Sequence, residues 1–146
     1  MDFYIKSFSE LNTIELYQIL QLRAEVFVVE QDCVYQDVDG KDQNSLHVYG
    51  TKNNKIVAYT RIFKPGDYFK NASIGRVVVV ALERKYGLGH DLMKASILAI
   101  KNYFKEDKIT ISAQVYLKNF YESHGFHQIG KDYLEDGIPH IEMLKN

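Results

Sequence analysis

Apolar residues recur along the chain with two periods, and the places where the period changes mark the elements. Phe3, Ile5 and Phe8, with polar residues between them, predict a short opening strand. Asn12 and Glu15 form a capping box, in which each side chain can satisfy a free backbone N–H of the other. Leu16, Ile19, Leu20, Arg23, Val26 and Phe27 then keep helical spacing, so a helix is expected to about Phe27. Val28 to Ser45 shows no sustained period, is rich in Asp and carries Gly40, and so reads as a loop with at most a short helical turn.

Leu46, Val48 and the run Ile56 to Ile62 alternate on either side of Asn53-Asn54, a pair that tolerates the positive φ of a tight hairpin. Pro65-Gly66-Asp67 marks the next turn. Ile74 and Val77 to Val80 form a β-branched run suited to a central strand buried on both faces. From Leu88 to Phe104 the apolar positions return to a helical period, predicting a long amphipathic helix that begins near Gly87. Ile109, Ile111 and Ala113 predict a further strand, and Leu117, Phe120 and Tyr121 a short helix stopped by Gly125. Phe126 to Leu144 reads as a hairpin turning at Asp136-Gly137. Hairpins on either side of a strand-helix-strand unit predict an α/β fold with a mixed central sheet flanked by helices.

A chain of 146 residues, 46% hydrophobic and 25% charged, with no repeat or linker, fits one domain over residues 1–146. Its 18 basic and 19 acidic side chains leave a net charge of −1, too little field to attract nucleic acid or an anionic membrane. An anionic ligand would need a local site. Cys33 is the single cysteine, which rules out an internal disulfide and suits a reducing compartment; it reads as a small packing residue. The first residues lack a signal-peptide pattern, and no run approaches the ~20 apolar residues of a membrane span, so a cytoplasmic location is expected. The 13% aromatic content would serve a core or a homodimer face equally well.

The segment with most chemical content is the strand Val77–Val80, a turn holding Arg84 and Lys85, and a helix opening at Gly87-Leu88-Gly89. A helix start leaves backbone N–H groups without partners and carries the positive end of the macrodipole, which suits phosphate. Glycines there allow close approach, although they serve equally well in a plain strand-to-helix turn. Gly89 is followed by His90-Asp91 where a P-loop needs Lys and Ser or Thr, and the third glycine of a dinucleotide fingerprint is Leu92. The Asp37-x-Asp39-Gly40-x-Asp42 cluster suggests a calcium loop, but its first position would be Tyr35 and its last Leu46 where a Glu is needed, so no metal is expected.

The run from Val77 to Gly89 resembles the acetyl-CoA signature of the GNAT superfamily of N-acetyltransferases, and Gln114, Phe120, Tyr121, Gly125 and Phe126 resemble the later half of the same pattern. Within the superfamily the chain is most similar to the ElaA type, through Leu22-Arg23, Val26 to Gln31, Asp37 to Asp42, His47, Gly75 to Val77 and Tyr133 to His140. One departure is Lys85-Tyr86, where an Arg-Gly pair is usual.

The resemblance implies a central strand splayed from its neighbour, with the pantetheine of acetyl-CoA bonded to the backbone of Val77, Val78 and Val79. Lys85, Tyr86, Gly87, Leu88, Gly89 and His90 would cradle the pyrophosphate, with Arg84 at the rim and Gln114 on the cofactor arm or its helix. An amine, on a small molecule or a protein, would attack the thioester directly. Tyr121 would protonate the leaving thiolate, and Glu30, His47 and His140 are the candidates for the base. Arg23, Asp37, Asp39, Asp42, Glu135 and His140 would shape the acceptor site, the acidic groups attracting a cationic amine. A noncatalytic acyl-CoA-binding module is the competing expectation.

Overall fold

The computed structural model describes all 146 residues. Seven strands form one mixed sheet in the order β1-β2-β3-β4-β5-β7-β6. They are β1 (Phe3–Ser7), β2 (Leu46–Lys52), β3 (Lys55–Phe63), β4 (Ala72–Val79), β5 (Ile109–Gln114), β6 (Phe126–Glu135) and β7 (Ile138–Lys145). All pairings are antiparallel except β4 with β5. The three α-helices are α1 (Thr13–Arg23), α2 (Leu88–Ala99) and α3 (Lys118–Glu122).

Local sequence explains most of these boundaries. Asn12 caps α1 by accepting from the Glu15 N–H at 2.7 Å while Glu15 returns the bond to the Asn12 N–H at 2.9 Å. Beyond Arg23 the expected helix does not end at Phe27; it continues to Glu30 as a wider π-helical turn, a form often found beside functional sites. The β2–β3 and β6–β7 hairpins turn on Asn53-Asn54 and Asp136-Gly137, all four with positive φ.

Two apolar cores lie on opposite faces of the sheet. Leu92, Met93 and Ile100 pack with Ile62, Ile74, Ile111, Ile141 and Met143 on one face; Ile19, Leu22 and Val26 pack with Tyr59 and Val78 on the other. Ile74 and Val78 are four residues apart and would share a face in a regular strand. They face opposite cores because β4 carries a bulge: its register with β3 slips between Tyr59 and Arg61, and Arg76 sits at φ 51°. Val77 and Val79 are only half-buried, against the expectation of a strand covered on both sides, because one side of β4 is open. No helix is long and apolar enough to cross a membrane.

Candidate active site

The parallel pair β4 and β5 meets only at Ala72–Ile109 and Ser73–Thr110 and then diverges, opening a cleft. Its walls include Gly75 to Val79 from β4, Ser112 and Gln114 from β5, and Tyr121 from α3. The Val80 N–H bonds back to Val57 on β3, so by alternation Val77 and Val79 turn their peptide groups toward the cleft. The Val79 carbonyl is already taken by Arg84 Nε at 3.0 Å.

At one end the cleft meets the start of α2. Gly87 holds the left-handed turn at φ 70°, and both His90 and Asp91 bond to its carbonyl, so the N–H groups before them point outward. A Cβ at Gly89 would make only ordinary contact with the Phe120 ring at 3.5 Å, and Gly89 has no unusual φ. Packing therefore does not require glycine at 89, whereas close approach of a ligand does. Tyr86 is exposed, with the ammonium groups of Lys85 and Lys52 5.3 and 5.6 Å from its ring centre, so two cations border this end. His90 Nδ1 lies 2.8 Å from His124 Nε2; burial, then the neighbouring His90, lower the His124 pKa.

Tyr121 is 5% exposed and packs edge-on to Phe120 and Phe126. Its hydroxyl makes no hydrogen bond within the chain, and burial, then Tyr116, push its pKa well above the usual phenol range. It is thus a protonated donor waiting for an acceptor in the cleft. Gln114 Nε2 donates to Gln31 Oε1 at 3.2 Å, tying the end of β5 to the π-helical turn.

At the other end, a chain of polar groups crosses the β5, β7 and β6 strands. Tyr133 and Ser112 hydroxyls are 2.5 Å apart, Ser112 Oγ donates to Glu135 Oε1 at 3.0 Å, and Glu135 Oε2 lies 3.3 Å from His140 Nε2. His140 Nδ1 is 2.7 Å from the Ile138 carbonyl, which can only accept, so Nδ1 carries the hydrogen and Nε2 faces the carboxylate. The cleft therefore joins a helix start with outward-facing N–H groups, exposed strand peptides, an unpartnered phenol and a His–carboxylate pair.

The acetyltransferase (GNAT) domain model matches residues 11–146. The chain belongs to the GNAT acetyltransferase family. Among its relatives, Escherichia coli ElaA is 43% identical over 139 residues, covering 94% of this chain and 91% of that protein; its crystal structure superposes with a TM-score of 0.92 over 99% of both chains. An acyl-CoA N-acyltransferase from Pseudomonas aeruginosa gives a TM-score of 0.93 at 39% identity over the whole of both chains. A GNAT acetyltransferase from Elizabethkingia anophelis, solved with acetyl-CoA bound, shares the fold at a TM-score of 0.66 and 17% identity, covering 98% of this chain and 97% of that one.

Within this acetyltransferase frame several sequence expectations need correction. Arg23, Asp37, Asp39 and Asp42 do not form an open acceptor site. Arg23 meets Asp37 at 2.9 Å and Asp42 at 2.8 Å; Arg61 meets Asp39 at 2.6 Å and Asp42 at 2.9 Å; Arg76 meets Asp37 at 2.8 Å. Three guanidinium groups neutralise three carboxylates, so no free negative charge is left to attract an amine. His47 is fully buried and remote from the cleft lining, accepting from or donating to Tyr59 at 2.6 Å and bonded to the Asp42 carbonyl at 3.0 Å; burial lowers its pKa. It braces the loop and is unavailable as a base. Glu30 does line the cleft, but its carboxylate grips Arg84 at 2.7 Å beside the helix start.

Reading the sequence missed Arg61 and Arg76, which no local pattern distinguishes from surface arginines. It also missed Ser112, Tyr133 and Glu142, for which a signal exists: Thr110-Ser112-Gln114 and His140-Glu142 alternate with core residues, so each set shares one sheet face. No group of three or more His, Cys, Asp or Glu side chains is arranged to hold a metal.

Proposed function

We propose that this protein is an acetyl-CoA-dependent N-acetyltransferase in which an amine attacks the thioester directly. The observation that carries the reading is the splayed β4–β5 pair, open on its peptide side and running into an outward-facing helix start. The residues fit acetyl-CoA: Val77 and Val79 offer peptide groups to pantetheine, with Val78 between them turned to β3. Gly87, Leu88 and Gly89 give a cradle of outward N–H groups, His90 closes its first turn onto the Gly87 carbonyl, and Lys85 and Tyr86 border it. Gln114 shapes the arm's path, and Arg84 sits at the rim. Acetyl-CoA supplies an activated acyl group on a thiol leaving group.

The protein's own groups then divide the proton traffic. The His140–Glu135 pair takes a proton from the acceptor ammonium, freeing the nitrogen lone pair. A strand N–H aimed at the acyl oxygen stabilises the developing oxyanion. As the new C–N bond forms and the C–S bond breaks, Tyr121 gives its proton to the departing sulfur, and the second proton shed by the acylated nitrogen restores the phenol.

The test is calorimetric titration with acetyl-CoA and CoA, repeated on Gly89→Glu, followed by a free-thiol assay with amines. Saturable binding should be lost in Gly89→Glu with thermal stability little changed, since a Cβ at 89 meets only the Phe120 ring at ordinary contact distance and a carboxylate in the first helical turn favours the helix. Tyr121→Phe should lower kcat by roughly 10²-fold. Absence of binding in the parent protein would overturn the proposal, and binding without turnover of any amine would leave an acyl-CoA-binding module instead.

A further inference from the structure

The cleft does not end at Glu135. A second groove continues from it, sharing Tyr68, Phe69, Ser112 and Glu135 and adding Tyr133 and Glu142. The sheet builds it. Ser112 pairs with Glu142, Glu142 with Ile129, and His140 with Tyr133, so these side chains rise from one face of β5, β7 and β6 while Ile111, Ile141 and Met143 fill the core behind.

The two carboxylates of this groove differ in what they already hold. Glu135 is engaged by Ser112 and His140. Glu142 is half-buried, accepts no hydrogen bond from the chain and pairs with no cation, although Lys131 stands at the outer mouth. The arginines near the inner end, Arg61 and Arg76, have their charge paired with Asp37, Asp39 and Asp42, although the Nε of each is buried without a hydrogen-bond partner. An acceptor lying here therefore meets negative charge at two points and aromatic rings from Tyr68, Phe69 and Tyr133 between them. Rings of this kind accommodate methylenes and attract ammonium groups. That the connected cleft takes a ligand has separate support in the Tyr121 hydroxyl, 5% exposed and without a partner.

We infer that the acceptor is a small aliphatic diamine, its reacting nitrogen at the Glu135–His140 pair and its second ammonium at Glu142. The inference rests on the transferase reading above and adds the class of acceptor. His140 and Glu142 stand two residues apart on one strand, so the two nitrogens are separated by roughly 7 Å, the span of about four carbons. Only the nitrogen at His140 has a base beside it and the thioester within the same cleft. The second stays charged and serves as an anchor. Balanced over one turnover from the acceptor ammonium, two N–H bonds and one C–S bond break, one C–N and one S–H bond form, the first proton passes from the His140–Glu135 pair to solvent, and the anchor ammonium is unchanged.

The experiment measures kcat/KM, by release of free thiol from acetyl-CoA, for four acceptors of equal length: terminal diaminobutane, butylamine, aminobutanol and aminobutanoate. Diaminobutane should exceed butylamine by about tenfold, and aminobutanoate should be the poorest. Glu142→Gln should shrink the ratio of diaminobutane to butylamine toward one, Glu142→Asp should restore part of it, and Glu142→Lys should move the preference to aminobutanoate. A purely structural role for Glu142 would leave that ratio fixed. Equal use of butylamine and diaminobutane by the parent protein, or an unchanged ratio in Glu142→Gln, would overturn the diamine assignment while leaving the transferase intact. Acetyl-CoA binding with no turnover of any of the four would overturn the diamine assignment, and absence of acetyl-CoA binding would overturn both.

Discussion

Two regions of this protein are rich in carboxylates, and they use them in opposite ways. Asp37, Asp39 and Asp42 crowd into six residues and look in sequence like the stronger site for a cation. Each is tied to guanidinium groups brought in from α1, β3 and the β4 bulge, and the cluster acts as a clamp. Glu135 and Glu142 are seven residues apart and inconspicuous, yet the β6–β7 hairpin sets them on one face of an open groove with little cationic company. Availability of charge is decided by which cations the topology delivers, and local acidic density says little about it.

The sharpest way to break this comparison is to remove one carboxylate from each region. Asp42 bridges Arg23 and Arg61, both almost wholly inaccessible to solvent. Asp42→Ala takes from each of two buried cations one of its two carboxylate partners and should lower unfolding free energy by about 3 kcal/mol, measured by urea denaturation. Glu142→Gln should stay within about 0.5 kcal/mol of the parent protein, because Glu142 is bonded to nothing. Equal losses in the two variants would refute the division into clamp and open groove.

Acidification separates the same regions more gently. Burial opposes ionisation of Asp39 and Asp42, but hydrogen bonds and ion pairs with Arg61 and Arg23 outweigh it, and both pKa values are depressed. The unfolded carboxylates, near ~3.9, hold protons more readily, so their stabilising contribution is full above ~4 and is lost as pH falls through the folded values. His47 beneath the clamp is lowered by burial, and His124 by burial and His90. Their unfolded forms take up protons below ~6.5, which begins the loss earlier. A plot of urea midpoint against pH should therefore decline gently below ~6.5 and steeply below ~4. His47→Gln should flatten part of the first decline; a midpoint constant from neutral pH down to the carboxylate range would contradict the assignment.

How far the sequence reveals this arrangement depends on the range of the interactions concerned. Capping at Asn12, the Asn53-Asn54 and Asp136-Gly137 turns and the Gly87 helix start are local, and each is visible because a few adjacent residues carry the whole instruction. The short helix that carries Tyr121 and the glycine-led start of α2 are legible through motif spacing. The clamp was not, because Arg23, Arg61 and Arg76 reach Asp37–Asp42 from three separate elements, and an arginine's sequence neighbours do not reveal its burial. The bulge at Arg76 was hidden for a similar reason: it is a left-handed residue without glycine, held in place by the Asp37 backbone carbonyl and carboxylate 39 positions away. The polar sheet face lay between these extremes, encoded by alternation but indistinguishable from an ordinary solvent-facing side until β5, β7 and β6 were placed next to one another.

Glu30 is an intermediate case, and the smallest effect expected here tests it. Its carboxylate is paired, as in the clamp, but both partners are about two-fifths exposed, and Arg84 also holds the Val79 carbonyl beside the helix start. An exposed pair of this kind contributes only about 0.2–1 kcal/mol, so Glu30→Gln should barely alter stability. The same small energy governs ligand binding from the other direction. Glu30 would compete with an incoming phosphate for Arg84, and removing its charge should tighten acetyl-CoA binding by roughly 1.4- to fivefold, converted from that energy range. The gain should shrink as salt is raised, because the groups lie within reach of screening ions. Calorimetry at low and high ionic strength measures both effects. Weaker binding in Glu30→Gln would mean that the pair builds the cradle and does not compete with its ligand, placing Glu30 with the clamp carboxylates after all.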